Sequence, residues 1–229
     1  MKRRDRVKII QGKEDELLDI ELNKDLLKRN EELARGNKRI LEKENVLAID
    51  IMGSIGSGKT SLIENILTRL KGRRIGVIGG DLTTTIDAER IKEKGAQIVQ
   101  VNTGKECHLD ANLIRKALRE LNLREIDLLF IENVGNLICP GEFPLGAHQR
   151  VVVVSVTEGP HMIKKHPYIF QTARAVVINK VDLAEAMEVD LEELKADALR
   201  VNPGIRVIRT NCRTGQGIEE VIEVLKVGV

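Results

Sequence analysis

The sequence predicts an α/β fold, a mostly parallel sheet with helices on both faces, preceded by a helical arm. Two observations carry this. Short runs rich in Val and Ile alternate with longer segments of helical period, and one run leads directly into the glycine-rich stretch "GSIGSGKT" and then a helical segment. The runs are "VLAIDIM" (46–52), "RIGVIG" (74–79), "QIVQV" (97–101), "DLLFIE" (127–132), "RVVVVSV" (150–156), "AVVIN" (175–179) and "IRVIRT" (205–210). Continuous apolar runs of this length fit parallel strands, which are buried on both faces. Helices are predicted between most of them, over 59–71, 86–95, 110–121, 183–200 and 217–226. Such alternation calls for right-handed crossovers.

Ahead of the first strand, residues 17–44 place Leu26, Leu27, Leu33, Ala34, Ile40 and Leu41 at three-to-four spacing among dense charge. This predicts one amphipathic helix, or two divided at Gly36. The domain reading is a helical extension over 1–44 and a single α/β domain over 45–229. At 229 residues the chain is long enough for that arrangement. Aromatic residues make up 2% of it, so the core must be built from Ile, Val, Leu and Ala.

Basic residues number 37 against 35 acidic, a net charge of +2 that gives no reason to expect a nucleic-acid or membrane partner. No run reaches the roughly 18 apolar residues of a membrane span, and "MKRRDRVKIIQGKEDELL" lacks the apolar stretch of a secretory signal. A cytoplasmic location is expected. Three cysteines in a reducing compartment read as core thiols, reactive thiols or metal ligands, not as a disulfide framework.

"GSIGSGKT" (53–60) matches G-x-x-x-x-G-K-[ST], the P-loop pattern, in the strand-to-helix context its mechanism needs. Gly53, Gly56 and Gly58 let the backbone curl so that N–H groups point at phosphate oxygens, and the helix start adds partial positive charge. Ser54, Ile55, Ser57 and Ser61 complete the cradle. Lys59 is expected on the β- and γ-phosphates and Thr60 on Mg²⁺.

The base is read from "NKVD" (179–182) after a strand. Asp182 can accept from the N1–H and 2-amino groups of guanine. Adenine offers neither donor and would leave the carboxylate unpaired, at a cost on the order of 1–3 kcal/mol. Asn179 is expected on the O6/N7 edge and holding neighbouring loops, with the Lys180 stem packed over the ring. "NCRTG" (211–215), including Cys212 and Arg213, fits a second base loop whose N–H groups face O6, with the Cys212 thiol as a packing group. GTP is the expected nucleotide; a small-molecule kinase on the same scaffold would have no use for "NKVD".

For hydrolysis, Asp81 in "GGDLTTTIDAER" follows a strand and can approach Mg²⁺. Glu132 ends another strand where a Walker-B acid belongs, and Gly135 can donate its N–H to the γ-phosphate. No glutamine stands where a water-positioning group is expected, so slow intrinsic turnover is anticipated.

"GKECHLD" sets Cys107 beside His108 after one strand, and Cys139 follows another in "ENVGNLICPGEF". Both segments leave the carboxyl ends of strands, the functional edge of an open α/β sheet. Thiolate and imidazole suit nickel or zinc. Three ligands are fewer than a closed zinc site takes, which points to an exchangeable site or one completed by a second subunit. Spacing alone leaves metal binding and a capped helix start with a buried thiol equally open. His148, His161 and His166 are isolated.

The stretches "GSIGSGKTSL", "GDLTTTIDAERI", "VNTGKECHLDANLI", "DLLFIENVGNLICPGEFPLG", "VSVTEGP", "INKVDL" and "RTGQG" resemble the hydrogenase nickel-incorporation accessory GTPases, of the HypB type, from about residue 22 to the end. The urease accessory GTPases are less similar in the metal motif. The resemblance implies a P-loop GTPase that forms a homodimer and helps load nickel into a hydrogenase large-subunit precursor with a partner nickel metallochaperone. It also implies Ni²⁺ or Zn²⁺ on Cys107, His108 and Cys139, and an apolar dimer contact through Leu183 and Met187. A static structural zinc site is the competing reading. The cysteine-rich and histidine-rich N-terminal stretches of many members are not present in "MKRRDRVKIIQGKEDELL", so nickel storage there is not expected.

Overall fold

The computed structural model describes the backbone of residues 17–80, 86–103 and 107–227, and the side chains of those spans except 17–24 and 86–89. Its seven described strands are β1 (Leu47–Gly53), β2 (Ile75–Gly79), β3 (Gln97–Gln100), β4 (Leu128–Glu132), β5 (Gln149–Ser155), β6 (Ala175–Asn179) and β7 (Arg206–Arg209). They pair in parallel in the order β3-β2-β4-β1-β5-β6-β7. Each falls within a residue of its predicted end, because a run buried on both faces is marked by composition alone.

The helices are α1 (Leu17–Lys43), α2 (Lys59–Arg69), α3 (Ile86–Glu93), α4 (Ala111–Glu120), α5 (Cys139–Glu142), α6 (Met162–Lys165), α7 (Pro167–Gln171), α8 (Leu191–Val201) and α9 (Ile218–Leu225). Strand side chains alternate between faces. Ile49, Ile51, Phe130, Val151 and Val177 pack on one face with Leu62, Ile63 and Ile66 of α2 and with Val221 and Leu225 of α9. The other face carries two clusters. Ala48, Ile78, Leu129 and Ile131 meet α4 and Leu41 of α1, while Met52, Val152, Val154 and Val176 meet Phe170, Leu194 and Ala198. Asp50 of β1 belongs to neither cluster and is fully buried.

One segment decides between two sequence readings and another differs from expectation. The arm is one helix running through Gly36, the first of its two readings. The Arg115 guanidinium packs where a Gly36 side chain would stand, and it donates to Leu33 O at 3.1 Å and Asn37 Oδ1 at 2.5 Å. Gly36 therefore serves close approach rather than a break. Asn37 in turn donates to Ala111 O at 2.8 Å and Leu145 O at 3.0 Å, fixing α1 to the body.

The helix expected over 183–200 begins only at Leu191. Val181–Leu183 is a short 3₁₀ turn, Glu188 adopts φ 51°, and Asp190 caps α8 by accepting from Glu192 N at 2.8 Å. Leu183 and Met187 thus lie on an exposed turn, not on a helix. Among the described residues, no helix is long and apolar enough to cross a membrane.

Candidate nucleotide and metal site

The phosphate loop leaves the central strand β1 and enters α2 with Gly58 as its N-cap at φ 105°. That backbone is left-handed and a Cβ there would collide with Asn179 Nδ2, so only glycine fits. Lys59 is buried and lies across the loop, donating to Gly53 O at 3.3 Å and Ser54 O at 3.0 Å. The Ser54 and Ser57 hydroxyls are buried with no hydrogen-bond partner among the described residues. Two orphaned hydroxyls, a buried ammonium and a helix start together fit a phosphate chain.

Thr60 donates to Glu132 Oε1 at 2.7 Å across 72 residues of sequence. The pair offers hard oxygen donors, and that chemistry suits Mg²⁺. Asp81 and the threonines after it lie outside the described residues. Gly135 sits against the phosphate loop: a Cβ there would stand 2.9 Å from Ile55 N.

A cavity of about 840 Å³ joins the loop to Asn179, Lys180, Asp182, Cys212 and Arg213. Asn179, 2% exposed, donates to Ser57 O at 2.9 Å and accepts from Thr210 Oγ1 at 3.2 Å and Cys212 N at 3.0 Å. It therefore ties the phosphate loop to the last strand's loop, the loop-holding half of its expected role. Lys180 adopts φ 61° and Asp182 is exposed into the cavity. The N–H groups of "NCRTG" differ from expectation. Arg213 N and Thr214 N donate to Asn211 Oδ1 at 3.0 and 3.3 Å, and Gly215 N donates to Asn211 O at 2.8 Å. The Asn211 side chain takes two of the donors expected at O6, its backbone carbonyl takes a third, and Asn179 takes Cys212 N.

Cys212 is 8% exposed, and burial pushes its thiol up to about 11. Alkylation with iodoacetamide at pH 8 is expected to modify Cys107 and Cys139 while sparing Cys212, which mass spectrometry of the digested protein would show. His148 is structural: its Nδ1 accepts from Ala48 N at 3.0 Å, and burial holds its pKa below the usual range.

Cys107, His108 and Cys139 converge, their ligand atoms all within 4.8 Å of one another. The two sulfurs stand 3.0 Å apart and Cys107 Sγ lies 3.8 Å from His108 Nδ1. Two thiolates on one zinc, at about 2.3 Å each, stand about 3.7 Å apart at the tetrahedral angle. A small separation of the sulfurs admits a metal, so the donor set fits a soft or borderline divalent ion. The Cys139 thiol is held above its ordinary value, first by its hydrogen bond with Cys107 and then by burial. The His108 ring stacks on Phe143 with centroids 3.9 Å apart.

Two asparagines that sequence reasoning passed over connect this trio to the sheet. Asn136 pairs with Gly53 of the phosphate loop in an antiparallel bridge. Its side chain donates to Cys107 O at 3.3 Å and accepts from Ile138 N, just before Cys139, at 2.8 Å. Asn133, fully buried beside Glu132, accepts from Leu109 N at 3.3 Å and donates to Asp50 Oδ1 at 3.2 Å. Their only sequence signal was position, one and four residues past the end of β4.

A family model for the CobW/HypB/UreG nucleotide-binding domain matches residues 47–209. The chain belongs to the CobW/HypB/UreG family. Within that family it is of the HypB type and a P-loop GTPase. It is 51% identical over 211 residues to the probable hydrogenase maturation factor HypB of Methanocaldococcus jannaschii, covering 92% of this chain and 96% of the relative. The crystal structure of the hydrogenase maturation factor HypB from Archaeoglobus fulgidus matches with a TM-score of 0.82 at 47% identity, over 87% of this chain and 98% of that one. The structure of HypB from Helicobacter pylori in complex with nickel matches with a TM-score of 0.82 at 34% identity, over 87% and 94%.

Proposed function

We propose that this HypB-type protein hydrolyses GTP to drive nickel delivery to a hydrogenase precursor, with Cys107, His108 and Cys139 holding the cargo ion. The observation that carries this reading is Asn136, which bonds the start of the phosphate loop at Gly53 to the two segments that carry the trio. Motion of the 133–139 segment toward a γ-phosphate then alters the distance between the sulfurs. Linkage requires the effect to be reciprocal: metal shifts nucleotide affinity by the same factor.

In this mechanism Lys59 and the loop N–H groups bind and orient the phosphates, and Gly135 N–H meets the terminal one. Thr60, Glu132 and Asp81 would hold Mg²⁺, which supplies charge neutralisation when bound. Asp182 selects guanine. Turnover is slow because no residue here is read as placing the water. The two thiols, and His108 where it is protonated, release protons as they capture nickel or zinc, so metal affinity rises with pH.

The 45–229 domain carries both sites, and α1 of the extension packs on it through Asn37 and Leu41. Exposed Leu183 and Met187 form the homodimer contact, which places two trios close together. The protein works in the cytoplasm with a nickel metallochaperone and a hydrogenase large-subunit precursor. The names of its relatives, hydrogenase maturation factors, and the nickel in the Helicobacter pylori complex support this assignment.

The test is a Ni²⁺ titration with GDP and with a non-hydrolysable GTP analogue, following dimerisation by light scattering. At least a fivefold change in metal affinity between the two nucleotides is expected, about 1 kcal/mol of coupling. Equal affinities would leave a static metal clip beside an unrelated switch.

A further inference from the structure

A second cavity, of about 730 Å³, opens where α1 covers the starts of β5 and β6, at the opposite sheet edge from the phosphate loop. This is the size of a small-molecule pocket. Asp50 of β1 and Arg150 of β5 line it. Asp50 Oδ2 and Arg150 Nη2 are both buried without a hydrogen-bond partner among the described residues. The rest of each group is used: Asp50 Oδ1 accepts from Asn133, and Arg150 Nη1 donates to Thr172 Oγ1 at 3.1 Å and Gly141 O at 3.4 Å.

A buried donor beside a buried acceptor, ion-paired to one another but neither atom hydrogen-bonded, defines its own ligand. Arg150 Nε and Asp50 Oδ2 lie 3.7 Å apart, so their charges offset one another. A bare anion on Arg150 would meet the Asp50 carboxylate, and a bare cation on Asp50 would meet the guanidinium. A neutral head with an N–H donor next to a carbonyl acceptor satisfies both, and the primary carboxamide is that group. The mouth has another character. Lys38 and Arg174 line it, and among the described residues neither has an ion-pair partner, whereas Arg35 is engaged by Glu31 at 3.8 Å. Glu142 also lines the cavity, so two such cations stand against one further acid, and the net positive mouth favours negative charge at the outer end of the ligand.

We propose that this cavity binds a small molecule carrying a primary carboxamide at one end and an anionic group at the other. Its floor joins the trio from two sides, through Asn133 to Leu109 and through Arg150 to Gly141 of the helix that starts at Cys139. An occupant therefore biases the geometry of the metal ligands. That consequence rests on the metal role proposed above; the binding itself does not.

The experiment is calorimetric titration of metal-free, nucleotide-free protein with succinamate, using succinate and succinamide as controls. Saturable binding of succinamate, at least tenfold tighter than either control, is expected. Asp50→Asn and Arg150→Lys should each weaken it at least tenfold while keeping the wild-type circular dichroism spectrum. Equal binding of succinate would reduce the site to a basic mouth and overturn the proposal. Absence of saturable binding, or full binding by both folded variants, would overturn it too. Should either variant fail to fold, the three-ligand comparison on the wild type decides alone.

Discussion

Replacing Cys139 with serine lowers the affinity for Ni²⁺ and Zn²⁺ by at least about a hundredfold, since even the loss of a group that only orients a ligand costs about 10–100-fold. In the proposed site three side chains offer donors, and two of them are sulfurs within hydrogen-bond reach of each other. A hydroxyl at position 139 is a hard, poorly ionised donor that nickel and zinc bind weakly. The two ligands left cannot hold the ion against water. Competition with a chromophoric chelator measures the change. Guanine-nucleotide affinity of the metal-free protein should stay within about twofold, because Cys139 does not line the nucleotide cavity. A variant that held metal as tightly as the wild type would remove the trio as the cargo site.

The second large effect concerns Asp50. Burial raises its carboxyl from the ordinary 3.8 to about 6, although Arg150 and the Asn133 hydrogen bond both act to lower it. Burial wins because the ion pair, at 3.7 Å, is long and the carboxylate keeps one unsatisfied oxygen. The folded chain then holds the proton more tightly than the unfolded chain. The stability this supplies is complete below about pH 4 and is lost as pH rises through about 6. A shift of roughly two pKa units corresponds to about 3 kcal/mol.

Asp50→Asn cannot titrate. Its unfolding free energy relative to wild type should therefore rise by about 2.4 kcal/mol between pH 4 and pH 7, whatever the offset caused by losing the Arg150 pair. Urea unfolding of both proteins across that range isolates the term, since His148, Lys38 and the other groups around the cavity are common to both. A constant difference would mean that the carboxyl is ionised throughout. The same variant thus reports separately on stability here and on ligand binding in the cavity.

The elements read from the chain with least error were those whose signal is local. A strand buried on both faces must be apolar at every position, and the phosphate loop must set its glycines and lysine at fixed spacing before a helix. Hence seven strands and "GSIGSGKT" were legible, as was the meeting of Cys107 and His108 with Cys139, which follows from strands that end at one edge. The start of α8 was not. "LAEAMEV" is composed of good helix formers, yet Asp190 gives two backbone N–H groups a better partner and the helix waits for it. Gly36 looked like a break because the Arg115 guanidinium that fills its space comes from 79 residues away. The N–H groups of "NCRTG" were assigned to the base because the side chain of Asn211 that takes them could not be read from composition.

Asp50 stands out in hindsight as the single charge in "VLAIDIM". Its meaning was still not local, since it depends on Asn133, 83 residues later, and on Arg150. Residue types and spacing were enough to specify a P-loop α/β fold and to place the segments of Cys107, His108 and Cys139 on a common edge. They could not specify the contacts between that trio and the sheet. Those are made by Asn133, Asn136 and the Asp50–Arg150 pair, whose partners are distant in sequence. Buried polar atoms must find hydrogen bonds wherever the packed chain brings a partner into reach, and only the completed fold determines which partner that is.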